Sequence, residues 1–224
     1  METTQSNGRR IVIIIGLLLA LGLPFLHLGD LGKTYSGLGP LLGGEILWWV
    51  LFVAILLYVL FVEREALSSI GFRRPGVLDI VLGIVAAIVA VFGIGFLFSV
   101  VLPALHLNMA QKIGNLFLAP LWFRFLLVTR AAFVEETAFR GYGFERLTEL
   151  TGSKMLAGLV TFGLFTFAHY SGGGLGQVII AAWGGLVLTV LYVWRRNLWA
   201  NIICHWLIDG AGFILVPMMS AHHP

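Results

Sequence analysis

Residues 77–102 read VLDIVLGIVAAIVAVFGIGFLFSVVL, and Asp79 is the only charged side chain among them. An α-helix needs about 20 predominantly apolar residues to cross the hydrocarbon core of a bilayer. This stretch meets that requirement in length and in composition. It therefore predicts a transmembrane helix.

The composition extends this prediction to the whole chain. Hydrophobic residues are 59% and charged residues 11% of the 224 residues, whereas soluble globular domains are about half apolar and a quarter charged. That length leaves room for about seven spans of roughly 20 residues. We therefore expect an all-α, polytopic membrane helix bundle, with residues 1–224 forming a single integral membrane domain.

Hydropathy separates the chain into apolar runs joined by short polar breaks. The segment Ala104–Pro120 is too mixed to span and is predicted to lie at the membrane interface. In chain order, the predicted spans are Ile11–Leu28, Ile46–Val62, Val77–Leu102, Leu121–Leu147, Met155–Tyr170, Val178–Trp194 and Leu198–Met218.

Basic residues predict the orientation of these spans. With the N-terminus in the cytoplasm, the opposite loops hold only Lys33 and Lys112. The positive-inside rule then favours seven spans with a cytoplasmic N-terminus and an external C-terminus. The basic residues that fall at cytoplasmic ends are Arg9, Arg10, Arg64, Arg73, Arg74, Arg146, Lys154, Arg195 and Arg196.

Ionisable side chains inside spans are costly and mark function by default. They concentrate in three stretches, VEETAFR at 134–140, FTFAH at 165–169 and HWLID at 205–209. Counted from the cytoplasmic helix ends, Glu135, His169, His205 and Asp209 lie about 12 to 22 Å up, near the middle of a core about 30 Å thick. We therefore expect two carboxylates and two imidazoles to meet at one level.

Helical spacing predicts pairs within this set. Glu136 and Arg140 are four residues apart, as are His205 and Asp209, so the members of each pair share a helix face. Glu135 is rotated away from the Glu136–Arg140 face. The chemistry available to such a set is activation of water, in which a carboxylate and an imidazole remove its proton as it attacks a carbonyl. A remaining histidine and aspartate would orient the substrate or stabilise the oxyanion.

The three motifs resemble those of a known family. Glu-Glu-x-x-x-Arg at 135–140, Phe-x-x-x-His at 165–169 and His-x-x-x-Asp at 205–209 are similar to the motifs of the CAAX prenyl endopeptidase and bacteriocin-processing (CPBP, Abi-like) family. The runs Phe-Arg-Gly at 139–141 and Ile-Gly-Phe-Arg-Arg-Pro at 70–75 resemble its bacterial members. The resemblance covers residues 68–213 as a protease core, and it leaves two additional N-terminal spans within residues 11–62.

The resemblance implies an intramembrane, glutamate-dependent endopeptidase that hydrolyses peptide bonds of membrane-associated substrates. Glu135 would be the catalytic base and His169 would help to hold and activate the water. His205 and Asp209 would support the oxyanion, although Asn often occupies position 209 in the family, which leaves the role of Asp209 open. The supporting residues are Glu136 and Arg140, which would brace the site, and Phe165, which we interpret as packing below His169.

Two other interpretations remain at this point. A zinc-dependent intramembrane protease would use Glu135, His169 and His205 as metal ligands, and an immunity or scaffold protein of the same fold would have no activity. We expect no cofactor, no nucleic-acid partner, and a peptide or protein substrate in the lipid bilayer, with or without a lipid modification. The short loops favour a prokaryotic plasma membrane. Arg124 and Arg130, in the fourth span, are interpreted as snorkelling or lining a wet cavity.

Overall fold

The computed structural model describes residues 2–22, 25, 38–107 and 119–216. Over these residues the chain is helical and contains no strand, so the predicted all-α class is confirmed. Lys33 and Lys112, on which part of the predicted orientation depends, lie outside the described residues.

The α-helices follow one another in the order of the predicted spans. They are α1 (Glu2–Leu17), α2 (Leu38–Leu57), α3 (Val77–Phe96), α4 (Leu121–Glu135), α5 (Phe144–Thr151), α6 (Lys154–Ala168), α7 (Tyr170–Arg195) and α8 (Leu198–Gly210). Four of them, α1, α2, α3 and α8, are extended by π-helical stretches, which are Leu18–Gly22, Tyr58–Val62, Leu97–Val101 and Ala211–Leu215. A longer π-helix, Glu136–Gly143, joins α4 to α5 and is called the π segment below.

Among the described residues, four helices are long and apolar enough to cross a membrane. The helix α6 is apolar but shorter than the others. The structure therefore supports an integral membrane protein, while the number of seven spans stays a prediction. The four helices are Leu42–Val62, Val77–Ala104, Gly173–Arg195 and Leu198–Leu215.

Helix α8 lies inside the bundle, where it packs against α3, α4 and α7. Small residues let α3 approach its neighbours closely. A Cβ at Gly83 would lie 2.6 Å from the carbonyl oxygen of Ala200, and a Cβ at Gly93 would overlap the indole of Trp183. The single cysteine, Cys204, is fully buried in the apolar core between these helices.

Ion pairs join the helix ends that carry the predicted cytoplasmic arginines. Arg146 binds Glu63 at 2.6 Å, and Arg195 binds Asp79 at 2.8 Å. Asp79, the one charge in the quoted stretch, stands in the first turn of α3, where its carboxylate also accepts from the backbone N–H of Gly76. The charged groups therefore gather at one end of the bundle. Arg9 with Glu149 and Arg196 with Glu145 form further ion pairs at the same end of the bundle.

The predicted orientation places this end in the cytoplasm, and cysteine labelling tests it. In a Cys204→Ser background, Ser68→Cys should react with a membrane-impermeant maleimide only after the cells are permeabilised, because Ser68 is exposed at the charged end. Leu105→Cys, exposed beyond the other end of α3, is the control that should label in intact cells. Labelling of Ser68→Cys in intact cells would contradict the predicted orientation and indicate the opposite one.

Candidate active site

A buried carboxylate, Glu136, lies at the centre of the site. It is completely shielded from solvent, and its oxygens are shared by three side chains. Oε1 accepts hydrogen bonds from Arg140 Nη1 at 2.9 Å and from His205 Nδ1 at 2.7 Å, while Oε2 accepts one from Asn201 Nδ2 at 3.0 Å. A buried charge needs such partners. The network thus ties the π segment to α8.

The local helix geometry explains how these groups meet. In the π segment the backbone hydrogen bonds reach five residues back. This arrangement is rare in proteins, and where it occurs it is frequently at a functional site. On α8, Asn201, His205 and Asp209 recur at intervals of four and share one face. Arg140, 1% exposed, also donates from Nη2 to the carbonyl oxygen of Gly185 at 3.2 Å. The predicted Glu136–Arg140 pair is therefore confirmed.

His205 lies between two carboxylates. Its Nδ1 faces Glu136, and its Nε2 lies 3.5 Å from Asp209 Oδ2, which confirms the predicted contact between His205 and Asp209. An ionised carboxylate only accepts hydrogen bonds, so two of them require both ring nitrogens to donate. With both carboxylates ionised, His205 is therefore an imidazolium.

His169 has a different environment, at the C-terminal end of α6. Its Nδ1 lies 2.8 Å from the carbonyl oxygen of Phe165, which can only accept, so Nδ1 carries a proton. In the neutral ring Nε2 then has a free lone pair. The ring centroid of Phe165 lies 4.7 Å from that of His169, and the guanidinium of Arg140 lies 4.0 Å over the Phe165 ring. Phe165 thus packs below His169, as interpreted from the sequence.

A small pocket of about 60 Å³ is lined by His169, His205 and Asp209. Ile94 of α3 and residues of α7 also line it. Helix α7 is interrupted at Gly174, whose φ of 67° and ψ of −156° suit glycine and re-aim the helix that follows. That helix brings Gln177 into the lining. The buried Oε1 of Gln177 has no hydrogen-bond partner among the described residues.

Glu135 is not among the residues that line this pocket. Its Oε1 accepts a hydrogen bond from Arg130 Nη1 at 3.3 Å, and its side chain is 19% exposed. Arg130 also binds Glu45 of α2. The structure therefore brings six of the seven predicted residues into one connected site, and it places Glu135 next to them, one residue from Glu136 and directed to Arg130.

The three residues of the zinc interpretation do not form a ligand shell here. Within the part of the chain that the structure describes, no three His, Cys, Asp or Glu side chains are close enough to hold a metal ion. Zinc bound by protein ligands needs donors about 2.0 to 2.3 Å from the ion. Glu135, directed to Arg130, does not fit that arrangement with His169 and His205.

The sequence interpretation did not include three residues of this region. Asn201 had a signal, because it precedes His205 by four residues and extends the same polar face. Glu45 had one as well, since it is an ionisable residue inside the span Leu42–Val62, but the predicted span began at Ile46. Gln177 had no signal in the sequence.

A comparison with protein families relates the site to known proteins. Residues 116–211 match the family described as Type II CAAX prenyl endopeptidase Rce1-like. The chain carries an Rce1-like domain. This match confirms the resemblance to the CPBP family. Among curated proteins and solved structures, none matches the chain.

The Rce1-like domain includes α4 to α8 and all seven predicted site residues. Its family is a protease family, which supports a peptidase. Two groups near the site come from outside the matched residues, namely Ile94 of α3 in the pocket and Glu45 of α2 beside Arg130. The site is therefore larger than the matched segment.

Proposed function

We propose that the protein is an intramembrane endopeptidase of the glutamate type, acting on peptide bonds of membrane-associated substrates. The observation that carries this proposal is the pocket of the Rce1-like domain, whose lining includes His169, His205 and Asp209 together with apolar residues. Ionisable groups at such a place are expensive and mark function. The short loops of the chain favour a prokaryotic plasma membrane.

In this proposal, Glu135 and His169 activate a water molecule. The Nε2 lone pair of His169 orients the water, and the Glu135 carboxylate takes its proton as the oxygen attacks the scissile carbonyl carbon. When the tetrahedral intermediate collapses, the carbon–nitrogen bond breaks and Glu135 returns the proton to the leaving amine. In this role Glu135 keeps its 3.3 Å bond from Arg130 to Oε1 and takes the proton on Oε2.

The other groups of the site stabilise the charge that develops on the substrate during this reaction. Glu136 holds Nδ1 of His205 at 2.7 Å, and the Nε2–H, whose contact with Asp209 is long at 3.5 Å, turns to the developing oxyanion. Glu136, Arg140 and Asn201 keep the ring fixed through hydrogen bonds of about 3 Å, so little reorganisation accompanies the reaction. They act on the substrate only through His205.

The proposed substrate is a peptide or protein at the membrane, either carrying a prenylated cysteine near its C-terminus or unmodified. Purified protein in liposomes should cleave one of two peptides that differ only in prenylation, and mass spectrometry of the products locates the bond. The same comparison on membrane peptides from cells with wild-type protein or Glu135→Gln identifies natural substrates. Identical peptide profiles for both proteins, together with no cleavage in liposomes, would reject the protease and favour a scaffold.

We expect the activity to be independent of zinc. The reason is that a carboxylate and an imidazole can activate water alone, and the candidate ligands do not converge. Elemental analysis of active protein before and after treatment with a chelator is the measurement. Stoichiometric zinc whose removal stops cleavage, and whose return restores it, would contradict this expectation.

Asp209→Asn should retain activity within about tenfold of wild type. Glu136 remains as the anionic partner of His205 Nδ1 at 2.7 Å, so the charge of the ring does not depend on Asp209 alone. An asparagine amide also supplies a neutral donor to the oxyanion. Initial rates at saturating and limiting substrate test this. A loss of about 100-fold or more, with normal expression, would assign an essential charge to Asp209.

A further inference from the structure

The guanidinium of Arg130 lies between carboxylates from two helices. Towards α2 it binds Glu45 with two parallel hydrogen bonds, Nε to Oε2 at 3.0 Å and Nη2 to Oε1 at 3.1 Å. Towards Glu135, which follows it in α4, it makes one longer bond, Nη1 to Oε1 at 3.3 Å. The side chains of Glu45 and Arg130 are 7% and 11% exposed. The fork of an arginine fits such a two-point contact, which fixes its plane.

This arrangement leaves one face of Glu135 available. Its Oε1 is held at a single point, and its Oε2 accepts no hydrogen bond from the residues described. A carboxylate held in this way keeps its orientation while one oxygen remains for a water molecule.

A contact that served only to join α2 to α4 would not need these groups. Burying charges in an ion pair is a weak source of stability, since desolvation offsets most of the attraction. Apolar side chains would hold two membrane helices together as well, and the indole of Trp48 already packs 5.5 Å from the Arg130 guanidinium. The binding of two carboxylates by one arginine therefore indicates that the contact has a function beyond joining α2 to α4.

We propose that Arg130 is the positioning residue of Glu135 and that Glu45 in turn positions Arg130. This inference rests on the proposed protease function. Helix α2, outside the Rce1-like match, thereby becomes part of the catalytic centre. The role of Glu45 is to fix the guanidinium plane so that a single N–H is presented to Glu135.

Exchanging the charges of Glu45 and Arg130 distinguishes a positioning role of this pair from a contact that only joins the two helices. Glu45→Arg combined with Arg130→Glu keeps an ion pair between α2 and α4, but it places a carboxylate beside Glu135. We expect this protein to recover the thermal stability lost in each single variant while kcat stays at least about 100-fold below wild type, the size of effect that misplacement of a reacting group produces. Recovery of kcat together with stability would overturn the proposal.

Single substitutions provide the second measurement. Arg130→Gln should lower kcat by about tenfold or more with KM nearly unchanged, and Arg130→Lys should restore part of it, because an ammonium keeps the charge without the fork. The matched control is Arg124→Gln on the same helix, which should leave kcat unchanged, since within the described residues Arg124 donates only to the backbone oxygen of Phe213. If the doubly exchanged protein does not fold, the Glu45→Gln variant tests the proposal instead. A kcat of Glu45→Gln equal to that of wild type would overturn the proposal.

The outcomes also separate this inference from the proposed function. Wild-type protein that cleaves no peptide, or Glu135→Gln that cleaves as well as wild type, rejects the protease itself. Wild-type protein that depends on Glu135 but is insensitive to Arg130 and Glu45 rejects only the positioning role.

Discussion

Replacing Glu135 by glutamine is expected to abolish proteolysis and leave the fold intact. The substitution conserves shape and hydrogen bonding to Arg130, but it removes the group that accepts the proton of water. A general base typically contributes about 10²- to 10⁴-fold to the rate. The measurement is the cleavage rate in liposomes, with a thermal unfolding curve of the same preparation.

Glu149→Gln is the matched control, because it makes the same substitution in an exposed ion pair with Arg9. Its activity and stability should both remain near wild type, since exposed pairs contribute about 1 kcal/mol or less. Residual activity of Glu135→Gln above a tenth of wild type would exclude Glu135 as the base.

The neighbouring substitution, Glu136→Gln, should affect a different property. Glu136 neutralises Arg140, which is 1% exposed, and glutamine would leave the guanidinium with no counter-charge in this network, only a neutral amide oxygen, the Gly185 carbonyl and the Phe165 ring. Removing one member of a buried pair costs about 3–5 kcal/mol, a large part of the typical stability of about 5–15 kcal/mol. We expect a marked loss of folded protein in mild detergent and a lower unfolding temperature.

The two adjacent glutamates can thus be assigned by two separate measurements. Activity per folded molecule should fall with Glu135→Gln, and the yield of folded molecules should fall with Glu136→Gln. A Glu136→Gln protein as stable as Glu149→Gln would contradict the structural role of Glu136.

Helical periodicity explains which parts of the site could be predicted. The pairs Glu136–Arg140 and His205–Asp209 depend only on a spacing of four residues, and both exist. The all-α class followed from composition. Spacing within one helix and composition of the whole chain can both be read from the sequence. Neither depends on how the helices pack against one another.

The contacts between distant helices could not be obtained in this way. The Arg130–Glu45 contact joins residues 85 positions apart, and no periodicity connects them. The predicted second span began at Ile46, one residue after Glu45. The structure begins that membrane segment at Leu42. Glu45 was thus left outside the predicted span.

The π segment has a consequence for comparing related sequences. A π-helical stretch arises when a helix contains an additional residue, and each residue of an ordinary helix turns the chain by about 100°. Deleting Ala138 would therefore return this stretch towards an ordinary helix and reduce the spacing of Glu136 and Arg140, which form an ion pair, from four residues to three. Homologues that retain the site should show no alignment gap between positions 136 and 143, however freely their loops vary in length.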